Sequence, residues 1–154
     1  MGIVKEEIIE VLKKYDRILI DTNSFIYFME DNEAYADILQ IVFDMIESGK
    51  IYGVTSTIVL TEILTKPIKD GNKQLEAQYK AFLTHFPNLY LRNIDNKVAI
   101  KAAKIRANYG TKTPDSIIIA TAFEERASAI VTNDIRLRKV EGIDFIILND
   151  YIVQ

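Results

Sequence analysis

Apolar residues recur along this chain in two rhythms, a period near 3.6 and short unbroken runs, and the alternation of the two predicts its elements. Val4, Ile8, Val11, Leu12 and Tyr15 fall at i, i+4, i+7, i+8 and i+11. That spacing predicts an amphipathic helix over about 3–15, with Glu6 and Glu7 early and Lys13 and Lys14 late, as the helix dipole favours. The run Arg17-Ile18-Leu19-Ile20 then stops at Asp21-Thr22-Asn23-Ser24, residues suited to turns and helix caps. It reads as a strand that delivers an aspartate to its C-terminal end. After a short apolar stretch from Phe25 to Met29, Ile38, Ile41, Val42, Met45 and Ile46 share one helical face that closes at Gly49.

Ile51 to Thr55 reads as the next strand and Thr57 to Thr65 as a helix ended by Pro67. Leu75, Tyr79, Phe82 and Leu83 mark a helix stopped by Pro87, and Leu89 to Leu91 a weak strand. Val98, Ala102 and Ile105 line the buried side of a further helix. Thr113-Pro114 reads as a helix start, threonine as cap and proline at the first helical position. Behind it Ile117, Ile118, Ile119, Ala120, Ala122 and Phe123 are apolar almost all round, which predicts a central buried helix. Ala129 to Thr132 and Phe145 to Leu148 complete the strands, separated by a turn at Asn133-Asp134 and a short basic helix. Strands alternating with helices predict a three-layer α/β/α sandwich with a central parallel sheet. With no repeat or linker in view, residues 1–154 read as a single domain.

Composition removes several function classes. The chain has no cysteine and one histidine, His85, so disulfide scaffolds, thiol catalysis and the common zinc sites are excluded. A metal site here has to be built from oxygen, and His85 reads as a helix-end residue rather than a catalytic base. Nineteen basic against 22 acidic residues give a net charge of −3, so nucleic acid has to be held by a local patch or a bridging cation. The acidic start is not a signal peptide, and no apolar run approaches membrane-spanning length, so the expected location is cytoplasmic.

In a parallel sheet, ligands collect outside the carboxyl ends of the strands. Asp21 follows one strand directly, and Asp134 follows another after one asparagine. Asp115 heads the apolar helix, and Glu62 sits among Leu60, Ile63 and Leu64, which leave it a narrow exposed face. Singly, Asp21 and Asp134 also read as helix caps, and Asp115 as a complement to a helix N-terminus. Together, carboxylates near one strand edge repel by about 4 kcal/mol per close pair at an effective dielectric near 20, and such a cluster needs a cation. Hard oxygen ligands select Mg²⁺ or Mn²⁺, ions suited to phosphodiester hydrolysis.

These residues resemble the PIN-domain ribonucleases, including the VapC-like toxins of toxin-antitoxin pairs. The likeness runs from Arg17 onward and rests on four anchors in order: Ile20-Asp21-Thr22-Asn23, Thr61-Glu62-Ile63, the stretch Tyr109-Gly110-Thr111-Lys112-Thr113-Pro114-Asp115, and Val131-Thr132-Asn133-Asp134. The resemblance implies Asp21, Glu62, Asp115 and Asp134 as catalytic metal ligands for Mg²⁺ or Mn²⁺, with Thr22, Asn23, Thr132 and Asn133 as polar support. It further implies endonucleolytic cleavage of single-stranded RNA to 5′-phosphate and 3′-hydroxyl ends, a homodimer, and a small antitoxin protein as partner. The N-terminal helix is the departure from the pattern, and it bears on dimer geometry and partner choice.

Between Asn96 and Pro114 the charged residues are Lys97, Lys101, Lys104, Arg106 and Lys112, with no acid among them. A positive edge near Asp115 reads as an RNA-phosphate contact, or as a solvated helix face. Arg136, Arg138 and Lys139 form a second such patch, and Tyr27 and Tyr109 stand near the expected site, as stacking platforms or core. Rival readings are a housekeeping RNA-processing nuclease, a non-catalytic RNA-binding scaffold of the same fold, and a receiver domain. The last needs a phosphoacceptor aspartate ending a central strand, and Leu89 to Leu91 runs into Arg92.

Overall fold

The short apolar runs become strands and the periodic segments become helices, largely at the expected positions. The computed structural model of the protein describes residues 2–153. A two-residue strand β1 (Gly2–Ile3) leads into α1 (Lys5–Leu12), β2 (Arg17–Ile20), α2 (Thr22–Met29), α3 (Ala36–Glu47) and β3 (Tyr52–Ser56). Next come α4 (Ile58–Lys69), α5 (Lys73–His85), β4 (Leu89–Arg92), α6 (Asn96–Tyr109), α7 (Thr113–Glu124) and β5 (Ala129–Thr132). A 3-10 turn at Ile135–Lys139, β6 (Asp144–Ile147), a second 3-10 turn at Leu148–Tyr151 and β7 (Ile152–Val153) follow.

Five strands form a sheet in the order β4-β3-β2-β5-β6, with every neighbouring pair parallel. The period-2 alternation of strand side chains divides the core in two. Ile18, Ile20, Ala129, Val131 and Ile146 join buried residues of α1, α3 and α5, whereas Leu19 and Ile130 pack with Val98 and Ala102 of α6 and Ile119 and Ala122 of α7. Helices therefore cover both faces, the three-layer α/β/α sandwich. The apolar helix α7 lies against α6 and over β2, β3 and β5, as its nearly all-round apolar sequence requires.

Several local expectations are corrected. The N-terminal helix spans Lys5–Leu12 rather than 3–15, because residues at its start pair as β1 with β7 in an antiparallel ribbon, register Gly2 to Val153 and Ile3 to Ile152. Pro67 does not end α4, which continues to Lys69. Proline lacks its own N–H donor and its ring crowds the carbonyl four residues earlier, and near a helix C-terminus both costs fall on a single turn. The chain turns instead at Gly71, whose φ of +68° suits a residue without Cβ, and Asn72 N–H donates to the Pro67 carbonyl at 2.8 Å. At α7 the cap position belongs to Lys112 rather than Thr113, and Pro114 lies within the first turn. Among the described residues no helix is long and apolar enough to cross a membrane.

Candidate active site

From β2 the chain builds outward through β3 to β4, and after α6 and α7 it returns to the other side of β2 with β5 and β6. The strand order therefore reverses between β2 and β5, and in open α/β sheets the crevice at such a switch point is the usual ligand site. Asp21 leaves β2 there, and its N–H donates to the Val131 carbonyl of β5 at 3.2 Å. Asn133 and Asp134 leave β5 beside it.

Asp21 caps α2. Its Oδ1 accepts the Ser24 N–H at 3.1 Å and the Ser24 hydroxyl at 2.8 Å, and its Oδ2 accepts the Thr132 hydroxyl at 2.5 Å. The side chain is buried, with 8% of the residue exposed. Burial pushes its pKa up to about 6, the hydrogen bonds from Thr132 and Ser24 pull against that rise, and the charge of Asp115 adds to it. Asp115, half-buried in the first turn of α7, is raised chiefly by burial and then by the charge of Asp134, against the pull of Arg136 and Lys112.

Asp134 caps the 3-10 turn that follows β5. Its N–H donates to Thr132 Oγ1 at 3.2 Å, so one threonine bridges the two strand ends. Arg136 grips its carboxylate from both sides, and that hydrogen-bonded pair, more than any other influence, holds its pKa below the usual carboxylate value. Glu62 on α4 is exposed rather than hemmed in: Ile63 turns inward while Leu60 and Leu64 stay half-buried. Its Oε1 accepts the Thr22 hydroxyl at 2.5 Å.

The structure thus links Asp21, Asp115 and Asp134 electrostatically and ties Glu62 to the end of β2 through Thr22. Among the described residues, no three acidic or histidine side chains converge as a group able to hold a metal ion. The physical reason is that Asp134 and Glu62 are turned onto protein donors. Asp21 and Asp115, which make no ion pair or hydrogen bond to a cationic side chain among the described residues, offer a donor set that is all oxygen and mutually repulsive. Two carboxylates completed by waters are a common arrangement for Mg²⁺, so these residues fit such an ion.

Of the expected polar supports, Thr132 serves Asp21 and Thr22 serves Glu62, while Asn133 Oδ1 accepts the Asn149 N–H at 2.9 Å and Asn23 is exposed. Tyr27 packs on Tyr35 with ring centroids 4.9 Å apart. Tyr109 accepts the Glu141 N–H at 3.3 Å. The basic stripe of α6 divides. Lys101 lies over the Phe123 ring, 4.6 Å from its centroid, eight residues and about 12 Å of helix beyond Asp115. Lys97 lies a turn further along, and Lys104 is exposed. Arg106 donates to the Thr111 carbonyl at 3.2 Å, and Lys112 lines a cavity of about 130 Å³ with Asp115, Asp134, Arg136 and Lys139. Sequence reasoning did not single out Ser24 or the Arg136 clamp. Both have a signal: a hydroxyl three residues after a capping aspartate, and an arginine two residues after one.

The PIN domain sequence profile matches residues 18–143. No curated protein matches the chain. Among solved structures it is similar to a DNA-bound VapBC from Salmonella typhimurium, at 22% identity over 86% of this chain and 98% of that one, with a TM-score of 0.69. It is also similar to VapBC2 from Rickettsia felis bound to a promoter DNA fragment, at 19% identity, 84% and 97% coverage and a TM-score of 0.66. A toxin-antitoxin complex from Klebsiella pneumoniae gives 22%, 82% and 94%, with 0.63. The aspartates gathered at the switch point lie within the matched span, and the chain belongs to the PIN-domain family, a family of nucleases.

Proposed function

We propose that this chain is a divalent-metal-dependent endoribonuclease that hydrolyses phosphodiester bonds of single-stranded RNA in the cytoplasm, as the toxin of a toxin-antitoxin pair. The observation that carries the reading is Asp21, a buried carboxylate at the switch point whose three donors are all neutral and whose charged neighbour is another acid. A buried anion in such company is costly unless a cation joins it. Asp21 and Asp115 would hold Mg²⁺ or Mn²⁺, with Asp134 and Glu62 available once they release Arg136 and Thr22. When bound, the ion supplies Lewis acidity and charge neutralisation for attack of water on the phosphodiester.

The chain's own residues do the positioning. Ser24 and Thr132 fix the orientation of Asp21, and the paired hydroxyls of Thr111 and Ser116, 2.5 Å apart, tie down the start of α7 that carries Asp115. Lys112 and Lys139 present positive charge beside the acids, where the RNA backbone would lie.

The toxin-antitoxin complexes among the structural neighbours support a small antitoxin as partner. A groove of about 370 Å³ adjoins Glu62 and is lined by Ile26, Glu30, Lys66 and Tyr79, a surface suited to an apolar segment bearing an arginine. A homodimer is supported by a row of Leu60, Leu64 and Ile68 along α4, of which Ile68 is 56% exposed.

The test is cleavage of a fluorogenic single-stranded RNA by purified protein in Mg²⁺, Mn²⁺ or EDTA. Cleavage is expected only with metal and is expected to disappear in Asp21→Asn and Asp115→Asn. Equal rates in EDTA and in Mn²⁺ would overturn the reading.

A further inference from the structure

Of the four acids, Asp134 is the one that carries an ion pair in the structure. The turn after β5 makes this pair almost unavoidable. Asp134 caps the 3-10 turn, so the Arg136 N–H donates to its Oδ1 at 3.0 Å and the following side chain is aimed back at the cap. Arg136 Nε then donates to the same oxygen at 2.9 Å and a terminal nitrogen donates to Oδ2 at 2.8 Å. Both carboxylate oxygens are engaged, in the planar fork that guanidinium makes with carboxylate. Oδ1 already accepts two hydrogen bonds and Oδ2 one, so a cation approaching this carboxylate has to compete with the guanidinium for it.

We propose that Arg136 is a built-in competitor for a divalent cation at Asp134, displaced when that ion binds. The inference rests on the metal-dependent reading and deepens it. Arg136 is placed to exchange, since its side chain is 72% exposed and surface pairs of this kind are weak. It also has somewhere to go. The adjoining cavity of about 130 Å³ is bordered by Arg136 itself and lined by Asp115 as well as by Lys112 and Lys139. Arg136 is therefore a positioning residue, acting through Asp134 by setting the metal concentration at which the site charges.

The experiment is calorimetric titration of Mn²⁺ into the full chain and into Arg136→Ala, Asp134→Asn and the double variant. Arg136→Ala is expected to bind Mn²⁺ about two- to fivefold more tightly than the wild type, the equilibrium value of a weak pair. Removing a nearby positive charge would tighten binding through the general field alone, so the double-mutant cycle decides. Competition at Asp134 predicts that Arg136→Ala changes the Kd much less in the Asp134→Asn background, whereas a field effect persists there in full. An unchanged Kd in Arg136→Ala, or the same gain in both backgrounds, overturns the proposal while leaving the metal-dependent reading intact. No Mn²⁺ binding by the wild type and all variants overturns both.

Discussion

Asp21 leaves β2 and Asp134 leaves β5 at adjacent places on the sheet edge, and Thr132 touches both, accepting from the Asp134 N–H and donating to the Asp21 carboxylate. Their protonation nevertheless runs in opposite directions. Asp21 is buried among neutral donors, and burial outweighs them and lifts it to about 6. Asp134 is 26% exposed and gripped by a guanidinium, which holds it below the ordinary value. Topology brings the two acids together, while the charge of the nearest donor decides which of them remains in need of a cation.

The largest test of that contrast is catalytic. Asp21→Asn and Asp115→Asn should lower RNA cleavage by orders of magnitude, about 10³-fold on the scale of losing one electrostatic group in a shielded site. Asp134→Asn should cost clearly less, because Asp21 and Asp115, which carry no ion pair among the described residues, remain to hold the ion. Initial rates in saturating Mn²⁺ measure this, and equal losses at all three positions would break the comparison.

Stability against pH comes next. The Asp21 carboxyl rises from an ordinary 3.8 to about 6 on folding, so the folded state holds its proton more tightly than the unfolded state. Folding stability contributed by this group is then highest below pH 4 and falls as pH rises to about 6, by about 3 kcal/mol in total. Asp21→Asn removes that slope and should be the more stable protein at pH 7. Urea titrations in EDTA at pH 4, 5, 6 and 7 check it, and parallel curves for the two proteins would show that Asp21 titrates normally.

Slightly smaller is the effect of metal itself. An ion that binds the folded state alone stabilises it by about 2.7 kcal/mol at 100 times its Kd. The melting temperature should rise with millimolar Mg²⁺ or Mn²⁺ in the wild type, and less in Asp21→Asn. An unchanged melting curve for the wild type would remove Asp21 from any metal site.

The sequence made β2, β5 and the start of α7 legible because each is a purely local signal. Ile18-Leu19-Ile20 and Ala129-Ile130-Val131 are short apolar runs that end in polar turn formers, and Thr113-Pro114 opens an apolar helix. What stayed hidden depends on side-chain direction or on distant parts of the chain. The β1–β7 ribbon pairs the two ends of the described residues, a contact that no local pattern encodes. Glu62 lies among aliphatic residues in the sequence yet emerges on the exposed side of α4, because only Ile63 of its three neighbours is fully buried while Leu60 and Leu64 pack on the core half-buried. The α6 lysines share a helical face, but Lys101 spends its charge on the Phe123 ring rather than beside Asp115.

The smallest expected effect has the opposite sign and sharpens the contrast most directly. The hydrogen-bonded Arg136 pair is the chief cause of the lowered Asp134 pKa, so the unfolded state binds this proton more readily than the folded state. The stability it contributes is present above an ordinary carboxylate pKa near 3.8 and is lost as pH falls through the lower folded value. Asp134 thus steepens the acid limb below pH 4, a range in which Asp21 is protonated in the folded protein and adds little. Arg136→Ala should flatten that limb and leave the change between pH 4 and 6 untouched. Exposure of Arg136 to solvent keeps the effect smaller than the Asp21 change, and salt near 1 M, where the Debye length is about 3 Å, should shrink it further. Urea titrations of the two proteins from pH 2.5 to 4 in low and high salt measure it. A limb that keeps its slope in Arg136→Ala would mean that Asp134 owes its acidity to something other than the guanidinium, and the two strand ends would then differ by burial alone.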